Sequence, residues 1–272
     1  MGVVKRSLDS QISDSLLVGR DNDQRLLRMQ LDRAVGGQGS FVLISGEAGI
    51  GKTTLVAALS REAQAREVHV AIGHCYDRSA TPPYGPWGEL TTSQRTDLVP
   101  QLRVASPADP VFADQHVLFN QVTDAVSAVA AKRPIVVVLE DMHWSDPASL
   151  ELLRHVARHP STIPLLLIVT YRSDEVIDTH PLYALLPILV RESDAVRIEL
   201  QRLGRPALAG LIAGQYLLPQ TDHERLVNYV TARSEGNPLF AHELLRMLEQ
   251  RGTLRQIDAD WQFGDIRRMQ VP

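Results

Sequence analysis

The chain has 272 residues, 44% of them hydrophobic and 22% charged, a formal net charge of −4 and one cysteine, Cys75. This composition excludes a chain disordered throughout, and the interspersed acids and bases exclude an extended basic stripe for a nucleic-acid backbone. A lone cysteine excludes an internal disulfide and favours a reducing compartment, so a cytoplasmic location is expected. The start MGVVKRS and the apolar runs IVVVL and PLLLIV are too short for a signal peptide or a bilayer span, so no membrane partner is expected.

Leu26, Leu27, Leu31 and Val35 recur at helical spacing before Gly36 and Gly37, which predicts a helix ahead of the first strand. Residues 41–45 are a short apolar run entering a glycine-rich turn, and TTLVAALSREAQA after it reads as a helix. Residues 68–72 form a second strand candidate. The proline-rich residues 81–86 predict a loop, followed by a weakly patterned stretch ending near Pro110 and a long amphipathic helix over 111–131. Residues 135–139 and 165–170 are continuous apolar runs, as expected of strands buried on both faces of a parallel sheet. Between them Asp146 is placed to cap a helix with Pro147 at its first position, running to about His159. Residues 196–200 supply a fifth strand, and helices follow at about 205–217, 222–234 and 238–251. The expected organisation is an α/β core over 1–202, a helical lid over 203–252 and a short, weakly patterned tail over 253–272.

Gly46, Glu47, Ala48, Gly49, Ile50, Gly51, Lys52 and Thr53, followed by Thr54, fit G-x-x-x-x-G-K-[ST] without a mismatch, after an apolar strand and before a helix. Glycines there let backbone amides turn around a β-phosphate, and the next helix presents the positive end of its dipole. Lys52 can then reach the β and γ phosphates, and the Thr53 hydroxyl can ligate Mg²⁺. The bland reading, a glycine-rich turn without a ligand, must put one of only three lysines, Lys5, Lys52 and Lys132, into this slot by accident. ATP or ADP with Mg²⁺ is the expected ligand.

The run IVVVLEDMHWSD places Glu140 and Asp141 at the C-terminal end of a buried strand, the edge where open α/β sheets bind ligands. One carboxylate can enter the Mg²⁺ shell while its neighbour orients or deprotonates the attacking water. Glu140 is assigned to the metal and Asp141 to the water, with the reverse as the alternative, because the order Glu then Asp departs from the commoner Asp-first pattern. Arg172, just beyond LLLIVTY, can sense a γ-phosphate, against the plain reading of a surface arginine.

With these elements placed, the sequence resembles the STAND class of P-loop ATPases, in particular the AAA-like ATPase domain of large LuxR-type transcriptional regulators. The resemblance rests on LVGRDND at 17–23, GEAGIGKTTL, VVVLEDMHWSDPASLELL, LLLIVTYRSDEV and EGNPLFAHELLRML, in that order along nearly the whole chain. It implies a five-stranded parallel sheet of order 5-1-4-3-2, Val18, Gly19 and Arg20 near the adenine, and Gly236-Asn237-Pro238 opening a lid helix with Pro238 close to the nucleotide. It also implies a switch that self-associates or engages a partner protein in its ATP state. DNA would be bound only through a domain absent from this chain, into which the tail would continue. Two other readings stay open: an ATP/ADP-holding module that turns over only when a partner completes it, and an AAA-type nucleic-acid remodeller or loader.

Three further signals are set aside. Glu151, His155 and His159 share a helix face at zinc-compatible spacing, but a solvated face is the simpler reading. His74 and Cys75 are adjacent, so on a strand they point to opposite faces and Cys75 reads as a buried cysteine. His143 and Trp144 are expected to pack and orient the loop that carries the acids.

Overall fold

The computed structural model describes residues 17–77, 83–90, 98, 115–158, 163–257 and 260–264. Residues 81 and 82 of the proline-rich loop, most of the weakly patterned stretch up to Pro110, the expected helix start at 111–114 and His159 lie outside them. The chain divides into two compact units. One comprises Asn22–Glu47 and Leu55–Leu200; the other comprises Ala48–Thr54 with the described parts of Met1–Asp21 and Gln201–Pro272.

In the first unit, α1 (Asp21–Val35) buries Leu27, Leu31 and Ala34, one stripe at steps of four and three. β1 (Ser40–Ser45) follows, then α2 (Lys52–Ala65), β2 (His69–His74) and the single turn α3 (Gly85–Gly88), whose Trp87 is fully buried with its indole N–H donating to Ser149 O at 3.2 Å. α4 (Gln115–Ala130) leads to β3 (Ile135–Glu140), a 3₁₀ turn over Met142–Trp144 and α5 (Pro147–Ala157). Asp146 caps α5 as expected, its Oδ1 accepting from Ser149 N at 2.9 Å with Pro147 in the first turn. β4 (Leu165–Tyr171), α6 (Pro181–Ser193) and β5 (Val196–Glu199) complete the unit.

The five strands are parallel in the order β2-β3-β4-β1-β5, the expected order read from the other edge. β1, β3 and β4 are buried at every position, as strands covered by helices on both faces must be. β2 and β5 lie at the edges and are only partly buried. The register aligns Ser45 of β1 with Tyr171 of β4, His74 of β2 with Glu140 of β3 and Leu139 of β3 with Val169 of β4, so β1, β2, β3 and β4 all end along one edge.

Two elements depart from the sequence reading. The sequence reading assigns nothing to residues 181–193, and α6 forms there with Pro181 in its first turn and Pro187 inside it. Pro181 occupies the first turn, where its missing N–H costs nothing, His180 Nδ1 accepts from Leu182 N at 3.1 Å, and Leu182, Leu186 and Leu189 bury one face. That buried face outweighs the interior Pro187. The weakly patterned tail is, over its described part, an antiparallel hairpin, β6 (Leu254–Ile257) with β7 (Asp260–Phe263).

The hairpin belongs to the second unit with α7 (Arg205–Gln215), α8 (Gln220–Ser234) and α9 (Pro238–Gln250). Their shared core holds Leu208, Leu211, Val227, Val230, Leu245 and Phe263. Arg225 of α8 fastens the hairpin, donating to Phe263 O at 3.2 Å and Gly264 O at 3.0 Å while lying over the Phe263 ring. Only four residues per strand and one burial per strand explain why the pattern was too weak to read.

Candidate phosphate-binding site

Gly46 and Glu47 leave the C-terminal end of β1, and Ala48–Thr54 carry the chain into α2. Gly46, Gly49 and Gly51 all have positive φ (151°, 72° and 106°), conformations that side chains rarely tolerate and that anion-cradling backbone loops use. Lys52 opens α2 and is buried at 6% exposure; Thr53 beside it is exposed and Thr54 half-buried.

Within the second unit three consecutive loop carbonyls are each held from outside the loop. Ala48 O accepts from Asn237 Nδ2 at 2.9 Å, Gly49 O from Leu239 N at 3.3 Å and Ile50 O from Arg20 NH2 at 2.9 Å. Asn237 and Leu239 stand at the start of α9, where Asn237 is the N-cap and the buried Pro238 occupies the first turn. The approach is so close that a Cβ on Gly49 would lie 2.7 Å from Leu239 Cβ, so this glycine is required by space as well as by φ. With these three carbonyls already accepting, the loop's capacity for an anion lies in its amides.

Arg20 is 6% exposed and ends the turn Leu17–Gly19, its own N–H donating to Leu17 O at 3.1 Å. Gly19 (φ 77°) lies against α7, where a Cβ would come within 2.5 Å of Ala207 Cβ, and Val18 sits beside Gly210. Val18, Gly19, Arg20, Ala48–Thr54 of the loop and Pro238 therefore belong to one unit, while Gly46 and Glu47 belong to the other.

The acids occupy the sheet edge of the other unit. Glu140 is buried at 6% exposure, and its Oε2 lies 3.8 Å from His74 Nε2 on the neighbouring strand. His74 Nδ1 is 3.5 Å from Glu89 Oε2, and the same carboxylate accepts from His74 N at 3.2 Å. Asp141 sits in the left-handed region (φ 57°, ψ 43°), a conformation that aspartate tolerates better than most residues. Its N–H donates to Thr170 Oγ1 of β4 at 3.0 Å, and its carboxylate stands 3.9 Å from the buried His143.

His143 also lies 3.6 Å from Glu175 and packs on the Trp144 ring. His180 Nε2 reaches His143 O at 2.8 Å; since Nδ1 of that ring accepts from Leu182, Nε2 carries the proton and donates. Arg172 ion-pairs with Glu175 and lies over the Trp144 ring at 4.8 Å from its centroid. Glu140, Asp141 and Arg172 are thus collected along one strand edge.

Sequence reasoning attaches no role to His74, Glu89, Thr170 or Glu175, and places Asn237 only through the resemblance, at the opening of a lid helix. The Asn-Pro pair before an apolar run signals a helix cap, and that much was readable. Partners 189 positions apart, as for Asn237 and Ala48, leave no local signal. Of the set-aside residues, Glu151 accepts a hydrogen bond from Gln115 and His155 packs on Phe119, while His159 lies outside the described residues. Among the described residues no group of three metal-ligating side chains is assembled, and no helix is long and apolar enough to cross a membrane.

Residues 16–169 match the AAA ATPase domain family. An uncharacterised protein of Rhizobium meliloti (strain 1021) is 28% identical over 274 residues, taking in 86% of this chain and 25% of that protein. Cdc6p from Pyrobaculum aerophilum is similar in structure at a TM-score of 0.60 and 13% identity, covering 87% of this chain and 63% of that one. AMPPCP-bound DnaA from Aquifex aeolicus gives a TM-score of 0.52 at 14% identity (86% and 62%). Drosophila ORC bound to poly(dA/dT) DNA and Cdc6 gives 0.52 at 12% identity (90% and 40%). The chain spans about a quarter of its curated relative and less than two thirds of these solved chains. The structural likenesses establish a shared fold, and the sequence match runs through both the phosphate loop and the strand bearing Glu140: the chain belongs to the AAA ATPase domain family.

Proposed function

We propose that this domain binds Mg·ATP through Gly46–Thr54 and hydrolyses it slowly, the ATP and ADP forms being the two positions of a switch. In this reading it is the regulatory ATPase module of a signal-responsive, LuxR-type transcriptional regulator of the STAND class, and its ATP form self-associates or engages a partner protein. The observation that carries the nucleotide reading is the loop itself, three positive-φ glycines followed by a buried lysine at a helix start.

Thr53 and Glu140 offer a hydroxyl and a carboxylate, the oxygen donors that Mg²⁺ takes, so the donor set fits the ion. When bound, Mg²⁺ neutralises charge on the phosphate oxygens. Lys52 adds a point charge at the β and γ phosphates. Asp141, turned by its left-handed backbone and fixed through Thr170, accepts the proton of the attacking water while water oxygen bonds to the γ-phosphorus and the bond to the bridging oxygen breaks. Arg172 meets the charge of the γ-phosphate, for which its pair with Glu175 must open.

The test is phosphate release by the purified protein beside Asp141→Asn. The expected result is slow release above the enzyme-free background, at least 100-fold lower in Asp141→Asn, with ATP still bound, since general-base catalysis contributes about 10²–10⁴-fold. If Glu140→Gln alone shows that phenotype, the two acids exchange roles; if the unmutated protein releases no phosphate, the domain holds nucleotide without turning it over. The fold likeness to Cdc6p and ORC favours a second reading, a nucleic-acid loader, against which the net charge of −4 weighs. Turnover stimulated by DNA would select that reading.

A further inference from the structure

Asn237 joins two structures through one amide group. Its Oδ1 caps α9, accepting from Leu239 N at 3.0 Å and Phe240 N at 3.4 Å, while its Nδ2 donates to Ala48 O of the phosphate loop at 2.9 Å. Only this orientation satisfies both sides: rotating the amide by half a turn would set NH₂ against two N–H donors and the oxygen against a carbonyl. The residue is 3% exposed, so water cannot replace a lost partner. Its own N–H is held by Ser234 O at 2.8 Å, which fixes the direction from which the side chain reaches the loop. Leu239 N adds a second contact from the same helix start, at Gly49 O.

From this geometry we infer that Asn237 is a positioning residue for nucleotide binding: it holds the phosphate loop in its phosphate-accepting shape from the lid side. The inference rests on the reading of Gly46–Thr54 as the phosphate site. A loop whose Ala48 carbonyl is held by Asn237 keeps its backbone shape before ligand arrives, so binding does not have to order it. The β-phosphate is common to ATP and ADP, so Asn237 acts on both nucleotides alike. This separates it from Arg172, whose proposed contact is with the γ-phosphate that ADP lacks.

The chemistry supplies a near-isosteric test. Asn237→Asp keeps an N-cap of equal quality but points a carboxylate oxygen at the Ala48 carbonyl; Asn237→Ser keeps a cap and is too short to reach it. Two measurements are made on each variant and on the unmutated protein. In nucleotide-free protein, NMR order parameters of the amides of residues 48–51 are expected near 0.85 unmutated and below about 0.6 in Asn237→Asp, with those of residues 241–248 in α9 unchanged. By calorimetry, Kd for ATP and for ADP is expected to rise at least tenfold in Asn237→Asp and by a smaller factor in Asn237→Ser, with the ratio of the two constants unaltered. Loop amides as rigid in the variants as in the unmutated protein would overturn the inference, as would equal loss of order in α9, which marks Asn237 as a cap alone. If Asn237→Asp does not fold, Asn237→Ser is judged by the same outcomes. If the unmutated protein binds no ATP, the nucleotide reading fails and the order parameters alone decide whether Asn237 holds the loop.

Discussion

Cys75 follows the last residue of β2, is 3% exposed, and has its sulfur 3.6 Å from Met142 Sδ. Burial pushes its thiol up to about 12, with Asp146, Asp141 and Glu89 adding in the same direction. The thiolate is the nucleophile, so at pH 8 the folded protein should resist iodoacetamide, while denatured protein should be alkylated within minutes. Mass spectrometry checks this, and rapid labelling of folded protein would contradict the burial. The linkage has a definite sign: an acid whose folded pKa is raised loses protons first in the unfolded chain. Stability attributable to Cys75 is therefore intact below pH 9 and falls as pH rises from about 9 toward 12. The neighbouring His74 takes the opposite role, standing between Glu89 and Glu140. Adjacent residues thus part at a strand end, one into the core and one toward the acids.

At the scale of elements, the described parts of the strands and of the long helices were legible to within a few residues, because buried apolar runs and periodic stripes are local signals. α6 was not, because proline argues locally against a helix while the buried face of Leu182, Leu186 and Leu189 argues only through tertiary packing. That missed helix also serves the acid loop, since its cap His180 donates to His143 O. The loop motif and the acid pair were readable as patterns of residue type, whereas Thr170, Glu175 and Asn237 enter through pairings visible only once the chain is folded. The helices α7, α8 and α9 carry the switch prediction. An ATP analogue and ADP should give distinct hydrogen-exchange protection across residues 203–251, and Arg172→Ala should erase most of that distinction. Arg172 is already committed to Glu175 and the Trp144 face, so only a ligand of greater local charge should draw it away. Identical protection with the two nucleotides in the unmutated protein would remove the switch and leave binding intact.

For the molecule as a whole, the sequence match through residues 16–169 fixes the family, and the parallel sheet gives the acids and Arg172 a common edge. Everything proposed beyond that, from turnover to switching, requires nucleotide at the phosphate loop. Lys52 is the residue whose charge that claim depends on most. Removing it takes away a point charge at the β and γ phosphates, so Lys52→Ala should weaken ATP by at least tenfold, about 1.4 kcal/mol. Calorimetric titration of Mg·ATP into the unmutated protein and into Lys52→Ala is the direct test. The account predicts saturable binding to the first and at least tenfold weaker binding to the second; equal affinity in both proteins would contradict it.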